Sequence, residues 1–207
     1  MDLTPHKQDA TFPALISLID ESVGGMTAHA KRVAAFLLGG GQSVPTVPTM
    51  PDSAVRRLRC LLLLEETLEF ITSAGFVVDH FTGCHAPCSV GERFGVTLFE
   101  TGHKPSYEGM VDACADVSVV NTGTLIALGA GDERVLEAVD SANLAKVSGG
   151  CSKDANGKIR KPEGWTPPRY DCVEWYEEML EREGPLPSSL VTDDFGEGIL
   201  THSVNES

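Results

Sequence analysis

Apolar positions recur along this chain mostly with helical spacing, and glycine and proline cut the pattern into segments. Phe12 to Leu38 reads as a first helical region, with Gly24-Gly25 as a dividing point and Gly39-Gly40-Gly41 as its exit. Pro45, Pro48 and Pro51 force an extended connection over 42–51. Asp52 or Ser53 caps a second helix from about Ala54 to Ala74, carrying Val55, Leu58, Leu62, Phe70 and Ile71 and closed by Gly75.

Between 76 and 106 the pattern is ambiguous. Val77, Val78, Phe81, Val90, Phe94, Val96, Leu98 and Phe99 are broken by glycines and prolines, which fits either a short hairpin or an irregular insertion. A third helix spans roughly Tyr107 to Gly129 and is apolar nearly all round, as expected of a central bundle helix. A fourth runs from Asp132 to Ala145, with Asp132 as its expected cap. Residues 148–169 read as a loop and 171–182 as helix. The expected fold class is all-α, a helical bundle with an irregular insertion at about 76–106. The expected division is a domain over 1–170, then a C-terminal helix and acidic, mobile tail over 171–207.

Composition changes this picture in a few places. With 42% apolar but only 6% aromatic residues, the core is expected to be mostly Leu, Val and Ala. Sixteen basic and 30 acidic residues give a net charge of −14, which disfavours a broad nucleic-acid or anionic-membrane surface. Nine acids against Arg182 alone, from Glu174 onward, place much of that charge at the end of the chain. No leader pattern opens the sequence and no uninterrupted apolar run approaches the roughly 18 residues of a membrane span. Six scattered cysteines, with Cys60 and Cys114 in expected core helices, suggest a reducing, cytoplasmic setting.

The candidate chemistry is acidic. Glu65, Glu66 and Glu69 sit between Leu61-Leu62-Leu63-Leu64 and Phe70-Ile71, on a helix expected to be mostly buried. Asp112 and Asp116 sit in an equally apolar run, with Glu108 one turn before them. Residues three or four apart share a helix face, so these like charges repel, and burial makes that costly by several kcal/mol unless a cation intervenes. Oxygen-only ligand sets suit magnesium or manganese, with water and phosphate completing the shell. The plainer alternative is an acidic stripe on an exposed helix side. A second element is cationic: Lys146 follows Asp140 and Asn143 at three-residue steps, and Lys153, Lys158, Arg160 and Lys161 lie beyond. Such a loop can hold polyphosphate oxygens or simply be solvated.

Five elements in order resemble a known family: Glu65-Glu66-x-x-Glu69, Asp112-x-x-x-Asp116, Ser141-Ala-Asn143-Leu-Ala-Lys146, Gly157-Lys-Ile-Arg-Lys161 and Trp165-Thr-Pro-Pro168. They resemble the all-α MazG-like nucleotide pyrophosphohydrolases, in particular the phage subgroup called phosphoribosyl-ATP pyrophosphohydrolase-like, over about residues 29–170. The resemblance implies a bundle that forms a homodimer or homotetramer. It implies two or three Mg2+ or Mn2+ ions and cleavage of a (deoxy)nucleoside triphosphate to monophosphate and pyrophosphate. By position, Glu65, Glu66, Glu69 and Asp112 would be catalytic metal ligands, one acid orienting the attacking water, with Asp116 assisting. Asn143 and Lys146 would contact the nucleotide, and Lys161 the phosphate. The chain is also similar to MazZ-type enzymes, which use dGTP and GTP in phages that replace adenine with 2-aminoadenine. It departs from the family in two ways. Gly109 stands where an acid is usual, so that either Glu108 substitutes or Asp112 and Asp116 carry that side alone, and the segment between the acidic clusters is longer.

Other constellations carry less. His80, Cys84, His85, Cys88 and His103 are a loose zinc set. No activating partner can be placed for a nucleophilic Cys84, Cys88 or Cys151. Gly39-Gly40-Gly41 lacks the lysine of a phosphate loop. Trp165 and Tyr170 can stack on a base or pack on the bundle. The competing functions are a dUTP or dCTP hydrolase of the same fold, and a helical interaction module whose acids hold a structural cation.

Overall fold

The computed structural model describes residues 25–82, 95–148, 151–154 and 157–183. Its elements are α1 (Ala28–Gly39), α2 (Ser53–Ser73), β1 (Phe76–Thr82), β2 (Gly95–Glu100), α3 (Tyr107–Ala127), α4 (Asp132–Val147) and α5 (Asp171–Glu183). The described residues are mostly helical. The part of the first helical region before Gly25, the Cys84–Cys88 stretch and the tail from 184 lie outside them.

Local chemistry sets the helix bounds. Thr27 caps α1 through its hydroxyl, and Asp52 caps α2, accepting from the Val55 N–H at 2.8 Å. Gly40 and Gly41 close α1, Gly41 with φ of 76°. The ambiguous segment resolves as a two-stranded antiparallel hairpin with a register shift between Val78 and His80. Its two ends are stapled at the end of α2: the Thr101 and Ser106 N–H groups donate to the Gly75 and Ser73 carbonyls. The hairpin is thus an excursion between α2 and α3 that leaves those helices packed side by side.

Their packing follows a seven-residue register. A Cβ built on Gly123 would stand 3.0 Å from the Arg59 guanidinium, and one on Gly109 would stand 2.7 Å from the Ser73 hydroxyl. Between these contacts, Glu66 feels Asp116 electrostatically. The pairs 59/123, 66/116 and 73/109 step by sevens in opposite directions, so α2 and α3 run antiparallel along one seam.

The core lies where α1 meets the C-terminal half of α3: Ala30, Val33, Ala34, Leu37, Leu38, Val44 and Ile126 form it, with Val119 against it. It is built of Ala, Val and Leu, as the composition indicates. The 44–50 segment crosses the end of α3, where the Thr49 N–H donates to the Leu128 carbonyl. Gly129 has φ of 65°, and any side chain there would run into the Val47 carbonyl.

Three expectations are corrected. Asp132 does not cap α4; Gly131 holds that position without a side-chain bond. Asp132 is instead buried and accepts from the Thr27 N–H and hydroxyl at 2.8 and 2.6 Å, tying α4 to the start of α1. Secondly, α2 is not a buried helix within one chain. Only Arg59 is buried on it, while Leu58, Leu61, Leu64 and Leu68 are 41–53% exposed. Thirdly, α3 is not enclosed all round. Its burial sits at Ala113 and then from Thr122 to Ala127, leaving Val111 and Cys114 exposed. Cys60 is exposed as well. By length and mean hydropathy (1.2), α3 marginally reaches the composition of a membrane span. However, Asp112 and Asp116 would each cost about 2.5–3.5 kcal/mol near a bilayer centre.

Candidate metal and phosphate site

Helix α2 carries Glu65, Glu66 and Glu69, and α3 carries Asp112 and Asp116. Glu66 lies on the seam, one heptad from both Arg59 and Ser73, and is half-buried; Glu65, Glu69 and Asp112 are exposed and Asp116 is half-buried. The Glu66 carboxyl is pushed above its ordinary value, first by desolvation, then by the charges of Glu69, Asp116, Glu65 and Asp112. Among the described residues no cation acts on it to offset these. The other four acids singled out by spacing therefore act on Glu66, two from its own helix and two from α3.

The acids converge without forming a finished cage. Among the described residues, no three His, Cys, Asp or Glu side chains are grouped closely enough to hold an ion as they stand. The donor set nevertheless fits a hard cation. It is all oxygen, and the negative charges of four acids act on Glu66 with no counter-charge among the described residues. Magnesium also takes much of its shell from water and phosphate, so a few carboxylates suffice.

The glycine at 109 now has a physical reason. Ser73 occupies the space where a side chain at 109 would begin. Glu108, one residue earlier, is exposed in the first turn of α3 and is not among the groups that act on Glu66. Asp112 and Asp116 are the α3 acids that act on Glu66.

Asn143, Lys146 and Lys161 form a second group around Trp165. The Lys146 ammonium donates to Asn143 Oδ1 at 2.7 Å, and the Lys146 and Lys161 ammoniums lie 4.9 and 4.6 Å from the indole centroid. The indole is itself fixed, its Nε1–H donating to the Ala142 carbonyl at 2.9 Å. Trp165 thus packs on α4 and holds two cations at once. The acids belong to α2 and α3 and this group to α4 and the segment after it. Tyr170 lies apart, on a cleft of about 730 Å3 where Arg134 pairs with Asp171 at 2.9 Å.

In the loose zinc set, the side chains of His80, Cys84, His85 and Cys88 fall outside the described residues, and His103 is exposed. Two residues were not singled out from the sequence. Ser73 escaped because its role depends on a glycine across the seam. Arg59 was legible as a charge seven residues before Glu66, on the same face of a leucine-rich helix.

No protein-family model matches the chain, and no curated protein matches it.

Proposed function

We propose that this chain is a metal-dependent nucleoside triphosphate pyrophosphohydrolase of the MazG-like all-α type, taking dGTP or GTP to the monophosphate and pyrophosphate. The observation that carries this reading is the five-acid cluster across the α2–α3 seam, with Glu66 pushed up and no cation among the described residues to offset it. Glu65, Glu66, Glu69, Asp112 and Asp116 would hold two or three Mg2+ or Mn2+ ions. Such ions, when bound, neutralise phosphate charge and make a coordinated water more acidic. One of the acids orients the attacking water. Water adds at one phosphorus of the α–β anhydride, the bridging oxygen leaves with the other phosphorus, and the proton of the water passes to solvent.

Lys146 and Lys161 bind the phosphate oxygens as paired point charges, with Asn143 and Trp165 fixing their positions. The exposed leucines of α2 support a homodimer or homotetramer, since an apolar face of this size is usually covered. Such an enzyme works in the cytoplasm (that of the host, for a phage protein) and supplies dGMP, a precursor suited to 2-aminoadenine DNA synthesis. Incubation with each common nucleotide and Mg2+ or Mn2+, with product analysis, tests the activity and separates dGTP from dUTP or dCTP.

Two observations favour a second reading. The acids form no finished triad, and the leucine face is open. A helical interaction module with a structural cation has these properties too. It predicts metal binding and partner capture without turnover of any nucleotide.

A further inference from the structure

The seam that gathers the acids has a cation near its other end. Arg59 lies seven residues before Glu66 on α2, so the two share a face roughly 10 Å apart along the helix. Arg59 is only 6% exposed. Its Nη2 donates to Gln42 Oε1 at 2.6 Å, and among the described residues its buried Nε–H has no partner. Burial holds the guanidinium below its usual value, and no carboxylate of the described residues acts to raise it again. A charged group taken from water without compensation is costly, and an apolar side chain would fill the same space at less cost. The fold makes room for the head group in particular, because Gly123 leaves space for Nη1.

Arg59 also walls a pocket of about 630 Å3 beneath the 41–52 connection. Val47, Met50, Leu58 and Ala127 supply apolar surface, Gln42 and Arg59 supply donors, and Asp52 adds a carboxylate with the hydroxyls of Ser43, Thr46 and Thr49. Apolar walls with one donor-rich edge suit a planar heterocycle that carries acceptors on one side. A free phosphate would make no use of those walls.

We propose that this pocket takes the base of a purine nucleotide, and that Arg59, positioned by Gln42, selects guanine by donating to its O6 and N7. A guanidinium matches that acceptor pair, whereas adenine presents its N6 amino donor at the same edge. The inference rests on the nucleotide hydrolase reading and names the base for that same site. The two-turn step from Arg59 to Glu66 separates the base from the metal-holding acids along α2.

Calorimetric titration of the full chain with dGMP and with dAMP, both in Mg2+, tests this without any turnover. The wild-type protein is expected to bind dGMP roughly tenfold to a hundredfold more tightly than dAMP. Arg59→Met removes that preference. Gln42→Glu serves if Arg59→Met does not fold. It gives Arg59 a carboxylate, raises the melting temperature, and weakens dGMP binding while leaving dAMP unchanged. Equal affinities in the wild type, binding of neither nucleotide, or a dGMP preference that survives these changes would overturn the proposal. Hydrolysis is not read. A protein that prefers dGMP yet cleaves no triphosphate keeps the pocket and loses the hydrolase. A protein that cleaves triphosphates without preferring dGMP does the reverse.

Discussion

Helices α1 and α2 are both rich in leucine, valine and alanine, and they end in opposite surroundings. Helix α1 buries Ala30, Val33, Ala34, Ala35, Leu37 and Leu38. Helix α2 has four consecutive leucines and buries only Arg59. On α1 the apolar positions meet α3 and form the core. On α2, the face toward α3 carries Arg59, Glu66 and Ser73, and Leu58, Leu61, Leu64 and Leu68 turn outward. An apolar stripe states that something should cover it, not what does. Helix α2 gives its inner face to polar chemistry and leaves its apolar face for another surface.

The sharpest way to break this comparison is a matched pair of truncations. Leu37→Ala should cost about 2–5 kcal/mol of stability at any protein concentration, because Leu37 is buried within the chain. Leu64→Ala, at a site 47% exposed, should cost within about 0.5 kcal/mol at high dilution. The same change should weaken self-association at higher concentration. Denaturant melts at two concentrations, with sedimentation, read both effects. A concentration-independent loss of several kcal/mol for Leu64→Ala would place α2 inside the monomer core.

The acids come next. Glu69→Gln keeps the shape of an exposed side chain and removes one charge from the cluster. Changes to outer partners of metal ligands cost 10–100-fold, so loss of a direct ligand should lower kcat by roughly a hundredfold or more. An unchanged melting temperature would separate that loss from misfolding. Full activity in this variant would remove Glu69 from the site.

A smaller effect belongs to Trp165, which pins two lysines by its ring face. Cation–π contacts of about 0.5–2 kcal/mol predict a rise in nucleotide KM of roughly two- to thirtyfold for Trp165→Leu. kcat should move little, and Trp165→Phe should recover part of the loss. A change in kcat alone would contradict this role.

The smallest expected effect concerns pH. The Glu66 carboxyl is raised above its ordinary 4.5 in the folded chain, so the native state holds that proton to higher pH than the unfolded state does. Stability of the metal-free protein should therefore fall as pH rises from about 4.5 through the raised value. Magnesium binds the ionised acids and should counter the fall. Melting curves in EDTA and in Mg2+ across that range decide it. A metal-free stability that climbs over the same interval would contradict the crowding of acids on Glu66.

Much of the chain architecture was legible from residue order. Asp52 as a cap, the glycine exit at 39–41 and Gly75 as a stop are local signals, and local hydrogen bonding decides them. The two acidic clusters were legible too, since three- and four-residue spacings place charges on one face. Burial was less so. Leu61 to Leu64 look like core residues in any single-chain reading, and only tertiary packing shows Leu61 and Leu64 exposed and Leu62 and Leu63 half-buried. Asp132 carries the chemistry of a cap, yet Thr27 captures its carboxylate across a separation of 105 residues. The glycine at 109 looked like a missing ligand until Ser73 was found opposite it. Such long-range pairings leave no periodic mark in the sequence.

The central claim is that the acid cluster serves hydrolysis rather than a structural cation. Phosphorus NMR of dGTP incubated with the protein and Mg2+ tests this most directly. The account predicts dGMP and pyrophosphate in equal amounts, no dGDP, and almost no product from Glu69→Gln. Intact nucleotide throughout, with dGTP and every other common triphosphate in Mg2+ or Mn2+, would contradict it.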